Sequence, residues 1–345
     1  MKNLLKIFAI LLLASSCKKQ VERSTVSYVI GDNNMKVLEF NSEVFGQFKS
    51  AINSTALIVT ETDTGSKKYC SGVLVQGANT QKILTNHHCF AVPGQNGLAT
   101  ENLIPTACRE TTVYFNMIEG VQDSATSAEC IEGSLITDFA ADLATFSISG
   151  TLPENAKPIP LMTDSDVAGR AAFIIHYPVE SSKLVYVNKF GGSFPLATIT
   201  YEDCKVIGKF PQDEWKQIPV LSVSHRHTCD LIQGSSGSPL IDLETNRLLG
   251  VNWGGIKVQS GGDLRVDNAA TSAAYATQFL QHQGAPNTMA SNLQSLVTQS
   301  KQETSKEVKK PVCGSIGILK ESGFPTVLAL LLPFIVPLYI RKTKV

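Results

Sequence analysis

The ten most informative residues of the chain are Asp230-Leu231-Ile232-Gln233-Gly234-Ser235-Ser236-Gly237-Ser238-Pro239. A serine hydroxyl is a weak nucleophile unless a neighbouring base activates it and hydrogen-bond donors stabilise the oxyanion. Gly234 and Gly237 permit a tight turn because glycine has no Cβ atom. The segment therefore predicts Ser236 as a nucleophile, with the amides of Gly234 and Ser236 as its oxyanion hole. Taken alone, the same residues are equally typical of an ordinary turn.

Two upstream segments favour the catalytic interpretation. Lys82-Ile83-Leu84-Thr85-Asn86-His87-His88-Cys89 places histidine after an apolar, strand-like run, and Asp142-Leu143-Ala144-Thr145-Phe146-Ser147-Ile148 opens a second strand. The chain order is thus histidine, aspartate, serine. An α/β-hydrolase has the order serine, aspartate, histidine and a Gly-x-Ser-x-Gly motif, whereas Ser238 replaces the second glycine here and only His282 follows Ser236.

In this order the three segments resemble the chymotrypsin-like (trypsin-like) serine peptidases. Thr85, His88 and Cys89 match the family motif Thr-Ala-Ala-His-Cys, and the resemblance implies that His88 is the general base. The family's Asp-Ile-Ala segment matches at Asp142, which is implied to orient His88 Nδ1 and to stabilise its imidazolium.

Two nearby residues are weaker alternatives. His87 is expected to point away from the site, because successive residues of a strand face opposite sides. Asp138, followed by Phe139 and Ala140, is a weaker match than Asp142 to the family's aspartate segment.

The nucleophile segment also indicates a branch of the family. It matches the family motif Gly-Asp-Ser-Gly-Gly-Pro except at Ser235 and Ser238. Ser235 cannot form the ion pair with a new N-terminus that activates the animal enzymes, so that mode of activation is not expected. The pattern Gly-x-Ser-Gly-Ser-Pro is more similar to the bacterial branch that includes the glutamyl endopeptidases.

The resemblance implies an all-β fold of two antiparallel Greek-key β-barrels with a C-terminal helix, predicted over Thr271–Gln281. Many short β-like runs separated by turn residues independently favour an antiparallel barrel or sandwich. The active site is expected in the cleft between the barrels. The predicted segments are a signal peptide (1–17), an N-terminal extension (18–45), a first barrel (46–155), a second barrel with the closing helix (156–282), a polar linker (283–312) and a C-terminal membrane or sorting segment (313–345).

Both ends of the chain indicate export from a bacterial cell. Lys2 and Lys6 precede an apolar run, which is typical of a secretory signal. Small residues before Cys17 resemble a lipoprotein cleavage site, which predicts lipidation of Cys17, although Ala14 stands where leucine is usual. The alternative is ordinary signal cleavage nearby. The apolar residues 324–340 precede a basic end, which predicts attachment to the membrane or cell surface, or removal as a sorting signal.

Six cysteines lie between the two ends, and an even number in an exported domain favours disulfides. The resemblance implies Cys70 with Cys89, a bridge beside the catalytic histidine. Sequence proximity suggests Cys108 with Cys130 and Cys204 with Cys229. His225, His227 and Cys229 alternate as metal ligands sometimes do, but Cys229 is better used in a bridge, so we predict neither a metal nor a cofactor.

Substrate-binding residues are also implied by the resemblance. Asp230 occupies the position at the base of the primary specificity pocket, which suggests a preference for Lys or Arg before the cleaved bond. Asn252, Trp253 and Gly254 resemble the strand that pairs with the substrate backbone. Glutamyl endopeptidases have histidine where this chain has Asn252, so a preference for Glu is not expected.

The sequence thus predicts an exported, monomeric serine endopeptidase that acts on proteins or peptides. Its formal net charge is zero and 17% of its residues are charged, so no basic surface for nucleic acid is indicated. Two alternatives stay open: a noncatalytic surface-binding protein on the same fold, and an esterase with the same triad.

Overall fold

A computed structural model describes residues 19–24, 28–77, 80–94, 99–179, 184–260 and 263–282, which lie in one compact unit, Lys19–Glu307. The predictions for the signal peptide, for Cys17 lipidation, for the polar linker and for the C-terminal segment fall outside these residues. Among the residues described, no helix is both long and apolar enough to cross a membrane.

Short strands make up most of the described chain. Numbered in chain order, they are β1 (Gln20–Ser24), β2 (Lys36–Val37), β3 (Thr55–Glu61), β4 (Lys67–Gln76), β5 (Gln81–Thr85), β6 (Ala91–Pro93), β7 (Ala99–Leu103), β8 (Thr111–Phe115), β9 (Thr126–Cys130), β10 (Ile136–Asp138), β11 (Leu143–Gly150), β12 (Ala172–His176), β13 (Leu184–Val187), β14 (Gly192–Pro195), β15 (Thr198–Thr200), β16 (Val206–Lys209), β17 (Ser224–His227), β18 (Pro239–Asp242), β19 (Leu248–Ser260) and β20 (Asp263–Ser272). The helices are α1 (Glu43–Ser54), α2 (Gln212–Trp215) and α3 (Ala273–Gln281).

The first barrel is a closed antiparallel sheet. Its strand order is β10-β11-β5-β4-β3-β8-β9, and β11 also pairs with β9, so that β11, β5, β4, β3, β8 and β9 form a ring. Along β8, Thr111, Val113 and Phe115 are buried while the residues between them are partly exposed, as the two-residue period of a strand requires. Inward-facing side chains such as Ile58 and Phe146 fill the barrel.

The second barrel contains the nucleophile segment. Its strands run β16-β17-β20-β19-β18-β12, and a bridge between Ala171 and Lys205 joins β12 back to β16. Ile174, Leu240 and Leu249 lie in its core. Outside this ring, β15 and β2 extend the sheet beyond β12, and β1 pairs with β19. The predicted all-β fold of two antiparallel barrels is confirmed.

Apolar residues from both barrels and two helices meet in the cluster between the barrels. Leu84 of β5 and Ile175 of β12 belong to it, together with Phe48 of α1 and Phe279 of α3. Burial of such side chains contributes roughly 1.5–3 kcal/mol each, which holds the two barrels together and fixes the cleft.

Each of the two longer helices begins at a serine cap. Ser42 Oγ accepts a hydrogen bond from the Phe45 amide (3.1 Å), and Ser272 Oγ accepts one from the Tyr275 amide (3.3 Å). The predicted closing helix is present but begins at Ala273, because Thr271 and Ser272 still pair as the end of β20. The sequence analysis did not predict α1.

Three disulfides join Cys70 to Cys89, Cys108 to Cys130 and Cys204 to Cys229. All three predicted pairs are therefore confirmed. The first joins β4 to the turn that contains the candidate histidine, and the second links β9 to the residues before β8. Each stabilises the fold by about 2–4 kcal/mol, mainly by restricting the unfolded chain.

Candidate active site

His88 and Asp142 form a hydrogen-bonded pair. His88 Nδ1 lies 2.8 Å from Asp142 Oδ2, and the His88 amide donates to Asp142 Oδ1 at 3.0 Å. A carboxylate only accepts hydrogen bonds, so Nδ1 is the donor and the other ring nitrogen, Nε2, is left as the acceptor in the neutral ring. This is the tautomer that a general base needs.

The carboxylate of Asp142 is buried, with 1% of the residue exposed. Burial opposes its ionisation, but the charge and hydrogen bond of His88 and the guanidinium of Arg23 outweigh burial and hold the pKa of Asp142 below its ordinary value. Arg23 Nη2 lies 2.8 Å from Asp142 Oδ2. Asp142 is consequently ionised at neutral pH, and Oδ2 is shared between an imidazole and a guanidinium.

The backbone around Asp142 presents its side chain to His88. Asp142 has a φ of +52°, a left-handed conformation that aspartate and asparagine tolerate better than most residues. Asn86 Nδ2 donates to the Asp142 carbonyl at 2.9 Å, which ties the aspartate turn to the residue before the histidine turn.

His87 points away from this pair, but for a different reason from the one predicted. Residues His87–Cys89 form a 3₁₀ turn after β5, so adjacent side chains diverge by about a third of a turn and do not alternate across a strand. His87 Nε2 lies 2.8 Å from the Thr100 carbonyl, and the ring packs edge-on against Phe139. Burial lowers the pKa of His87.

Asp138 has a structural environment of its own. It accepts hydrogen bonds from the Tyr275 hydroxyl (2.6 Å) and the Ala141 amide (3.1 Å). The first bond joins the aspartate turn to helix α3, and the second shapes the turn that precedes Asp142. Asp138 thus supports the turn, while Asp142 contacts the histidine.

The nucleophile segment turns at its two glycines, as predicted. Gly234 has a φ of +94° and Gly237 a φ of +84°. The amides of Ser235, Gly237 and Ser238 donate to other backbone carbonyls. Among the described residues, the amides of Gly234 and Ser236 have no such acceptor, and these are the two amides that the sequence assigned to the oxyanion hole.

Ser71 fixes this loop to the first barrel, and the sequence analysis did not identify it. Its amide donates to the Ser236 carbonyl (2.7 Å), and its hydroxyl donates to the Gly234 carbonyl (3.0 Å) and accepts from the Tyr177 amide (3.0 Å). Thr85 Oγ1 donates to the Ser71 carbonyl at 2.7 Å. The only sequence signal for this role was a small polar residue next to Cys70.

The same strand brings the serine loop towards the histidine. Ser71, bonded to Ser236, follows Cys70, and an imidazole nitrogen of His88 lies within 4.8 Å of the sulfurs of Cys70 and Cys89. Lys68 Nζ donates to the His88 carbonyl at 2.9 Å and holds the histidine turn from the same strand. Strand β4 therefore contacts both the histidine turn, which binds Asp142, and the Ser236 loop.

A substitution at Gly237 should test this docking. A Cβ atom there would lie 2.0 Å from both the Ser71 carbonyl oxygen and Thr85 Oγ1, at a positive φ. We expect Gly237→Ala to destabilise the protein by about 2–5 kcal/mol and to abolish most activity. Urea unfolding and kcat measure the two effects. Gly133→Ala is the matched control, because Gly133 has a φ of +78° with open space around it, and we expect about 1 kcal/mol. Equal losses in both variants would contradict the docking.

A buried histidine supports Ser235, which the sequence analysis also missed. His176 Nδ1 lies 2.5 Å from Ser235 Oγ, and the same hydroxyl accepts from the Ile232 amide at 3.2 Å. Burial lowers the pKa of His176 to about 3, so this ring is neutral at pH 7. The Ser235 hydroxyl is thus buried and hydrogen-bonded within the protein, at the position where the animal enzymes have an acidic residue.

Asp230 is not positioned as the sequence analysis expected. It is 1% exposed, and its two carboxylate oxygens accept the backbone amides of Ile30 (2.7 Å) and Asn34 (2.8 Å). Because the carboxylate is buried under the N-terminal segment, it does not face an incoming substrate cation. Its observed role is to anchor that segment.

The other predicted substrate-binding residues lie on β19, next to the loop. Asn252 is buried and its amide side chain donates to the carbonyl and hydroxyl of Ser238 (2.9 and 3.1 Å), so it braces the loop. Trp253 lies at an irregularity in the pairing of β19 with β20, and its indole donates to Ser224 Oγ at 3.1 Å. Gly254 follows in the same strand.

Two groups of residues have the composition of a metal site. The first is Cys70, His88 and Cys89, whose two sulfurs are joined to each other and so are not thiolate ligands. The second is the alternating triplet of the sequence analysis, in which the Cys229 sulfur is bonded to Cys204. Burial lowers the pKa values of its histidines, to about 4 for His225 and about 3 for His227.

Comparisons with known proteins indicate a family for the chain. A family model described as a trypsin-like peptidase domain matches residues 70–251, more than half of the 345 residues. Similar solved structures are a Glu endopeptidase in complex with MPD (TM-score 0.45, 18% identity, 73% of this chain and 96% of that chain), the Rv3671c protease from M. tuberculosis in its active form (0.42, 17%, 73% and 91%) and HL collagenase (0.43, 14%, 68% and 94%). None of the curated proteins that were compared matches the chain.

Proposed function

The chain belongs to the trypsin-like peptidase family and is a serine endopeptidase, and we propose that it is exported and cleaves peptide bonds through an acyl-enzyme on Ser236. In this proposal His88 is the general base, Asp142 orients it, and the amides of Gly234 and Ser236 stabilise the oxyanion.

The proposed chemistry has two steps. His88 Nε2 removes the proton from Ser236 Oγ as this oxygen attacks the substrate carbonyl, and the resulting imidazolium then protonates the leaving amine. Water next attacks the acyl-enzyme, again with His88 as base, and releases the acid and the free serine. Asp142 stays ionised throughout and stabilises the imidazolium across the 2.8 Å contact with Nδ1.

The observation that carries the proposal is the His88 and Asp142 pair, held on the same strand, β4, that binds the Ser236 loop through Ser71. A noncatalytic binding protein has no need for an ionised, buried carboxylate directed at an imidazole, because burying that charge costs free energy unless it is paired. The geometry therefore favours the enzyme over the surface-binding alternative.

A fluorophosphonate reagent tests this proposal on the full chain. We expect one equivalent of label, located by mass spectrometry on Ser236, and loss of activity in proportion to labelling. Comparison of an ester and an amide with the same acyl group separates a peptidase from an esterase. Label on another serine, or hydrolysis of the ester alone, would contradict the proposal.

We propose a preference for Lys or Arg before the cleaved bond only for a state of the enzyme in which residues 30–34 have left the Asp230 carboxylate. In the folded chain the Ile30 and Asn34 amides hold its carboxylate. We therefore expect no enrichment of Lys or Arg immediately before the cleaved bond when the full chain cleaves a peptide library. Strong enrichment would show that substrate displaces residues 30–34 from Asp230.

Export rests on the apolar N-terminal segment and is supported by the three disulfides, since such bridges persist in oxidising compartments. We propose that Cys17 is lipidated, that one or both ends attach the enzyme to the cell envelope, and that it acts as a monomer. The intact mass of protein from the native host tests both ends, and its sedimentation tests the monomer. An unprocessed N-terminus would contradict export.

A further inference from the structure

The N-terminal strand β1 lies on the edge of β19. It pairs in antiparallel register from Gln20 opposite Gln259 to Ser24 opposite Gly255. The other edge of β19 pairs with β20. Strand β1 is therefore an added strand on an otherwise open edge, which is also the way in which an extended peptide binds to a sheet.

This edge leads directly to the nucleophile loop. Strand β18 covers it as far as Val251, and the Gly237 amide then donates to the Asn252 carbonyl at 2.7 Å. Pairing with β1 begins at Gly255, three residues further on, or about 10 Å along an extended strand. A peptide that extends along this edge from Ser236 would have to occupy the position of β1.

Arg23 fastens β1 to the candidate active site. Its guanidinium donates to Asp142 Oδ2 at 2.8 Å and lies 4.8 Å from the centre of the Trp253 ring. A charge-assisted hydrogen bond and a cation–π contact act on the same group. Since Asp142 is buried, this ion pair is screened less than a surface pair.

Further contacts hold the residues on both sides of Arg23. Before it, Lys19 Nζ lies 2.6 Å from a carboxylate oxygen of the buried Glu214. After it, the Tyr28 backbone forms two hydrogen bonds with the Asn268 side chain (2.9 and 2.6 Å). The segment is thus bound at several points, and Arg23 is the contact that reaches the triad.

Resting on the proposed function, we propose that β1 is an intramolecular competitor of the substrate, held on the edge of β19 by Arg23 in a guanidinium subsite made of Asp142 and the face of Trp253. Release of β1 by a substrate, a partner or proteolysis opens the full cleft. The subsite then accepts an arginine side chain of an extended peptide.

The proposal has a specific kinetic signature. A competitor within the chain reduces the fraction of enzyme that is ready to bind, so it raises KM while leaving kcat unchanged at saturating substrate. A residue that instead helps to position Asp142 would change kcat. Substitution of a residue with only a structural role would change the stability of the protein and would change neither KM nor kcat.

Arg23→Gln in the full chain is the first test. We expect KM for a peptide substrate to fall about tenfold at unchanged kcat, because the variant loses the charged contact with Asp142. Arg109→Gln is the matched control, since Arg109 is exposed and pairs with its neighbour Glu110. An unchanged KM, or a lower kcat, would overturn the proposal.

A cross-link is the second test and acts in the opposite direction. Glu22 and Lys257 face each other across β1 and β19, and both are exposed. We expect the oxidised Glu22→Cys, Lys257→Cys double variant to retain less than about a tenth of the native kcat/KM. Each single variant should retain native activity. Native activity in protein shown by mass to be cross-linked would overturn the proposal.

The outcomes separate the two proposals. Full activity in Ser236→Ala would contradict the proposed function. If Ser236→Ala is inactive while the cross-linked protein keeps native activity, only the competitor proposal fails.

Discussion

Ser236→Ala is expected to lower kcat for a peptide substrate by about 10⁶-fold. The methyl group cannot form the acyl-enzyme, so only binding and oxyanion stabilisation remain to accelerate hydrolysis. The fold should be preserved, because the hydrogen bond from Ser71 to residue 236 uses the backbone carbonyl. Amide hydrolysis and thermal unfolding of the same preparation measure the two effects.

The control for this variant is Ser222→Ala. Ser222 Oγ donates to the Pro219 carbonyl within its own turn, Pro219–Val223, and we expect a kcat close to native. A Ser236→Ala rate within about a hundredfold of the native rate would contradict the nucleophile assignment, since the loss of a triad serine costs far more.

Asp142→Asn is expected to lower kcat by about 10⁴-fold. Asparagine tolerates the left-handed backbone at this position, so the turn should keep its shape. The amide group, however, can direct a donor towards His88 Nδ1 and stabilise the wrong tautomer, and it no longer compensates the imidazolium charge. Saturation kinetics are the correct measurement, because the same change also weakens the contact with Arg23 and is expected to lower KM.

Asp138→Asn is the matched control for this carboxylate. The introduced asparagine has one side-chain oxygen, which can still accept from the Ala141 amide, while its NH2 group can donate to the Tyr275 hydroxyl. We therefore expect a modest loss of stability and a kcat within about tenfold of native. If the two variants lost kcat equally, the structural role assigned to Asp138 and the orienting role assigned to Asp142 would both be wrong.

The three candidate catalytic segments could be recognised in the sequence because the proposed chemistry requires particular residue types within short, contiguous turns. Gly234 and Gly237 had to be glycine for steric reasons, which the Gly237 contacts with Ser71 and Thr85 make explicit. The disulfides were accessible for a similar reason, since each joins cysteines that are close in sequence, and Cys204 and Cys229 show the largest separation, 25.

The contacts of the N-terminal segment could not be read in this way. Asp230 binds backbone amides of Ile30 and Asn34, and a backbone donor has no sequence signature. Arg23 meets Asp142 across 119 positions, and this depends on the register of β1 with β19. The match of Asp230 to the family pattern suggested a pocket residue, whereas its carboxylate binds the N-terminal segment of the same chain.

Local geometry explains the remaining differences. The apolar run before His88 suggested that the strand continued through the histidines, whereas β5 ends at Thr85 and a 3₁₀ turn follows. Such one-turn elements have no repeat from which to recognise them. The role of His176 could not be predicted either, because a lone histidine in an apolar strand is usually a core residue. His176 is indeed buried in the core, but it also contacts Ser235.

The bond between Cys70 and Cys89 is expected to make the activity of the enzyme depend on the redox state of its surroundings. It fastens the turn that contains His88, the proposed general base, to β4, so a chain with reduced thiols lacks the covalent support for that turn. Thiols stay reduced in the cytosol of most cells. On the proposed export, we therefore expect the enzyme to have little activity while its thiols are reduced in the cytosol and to become active once oxidation has closed the bridge.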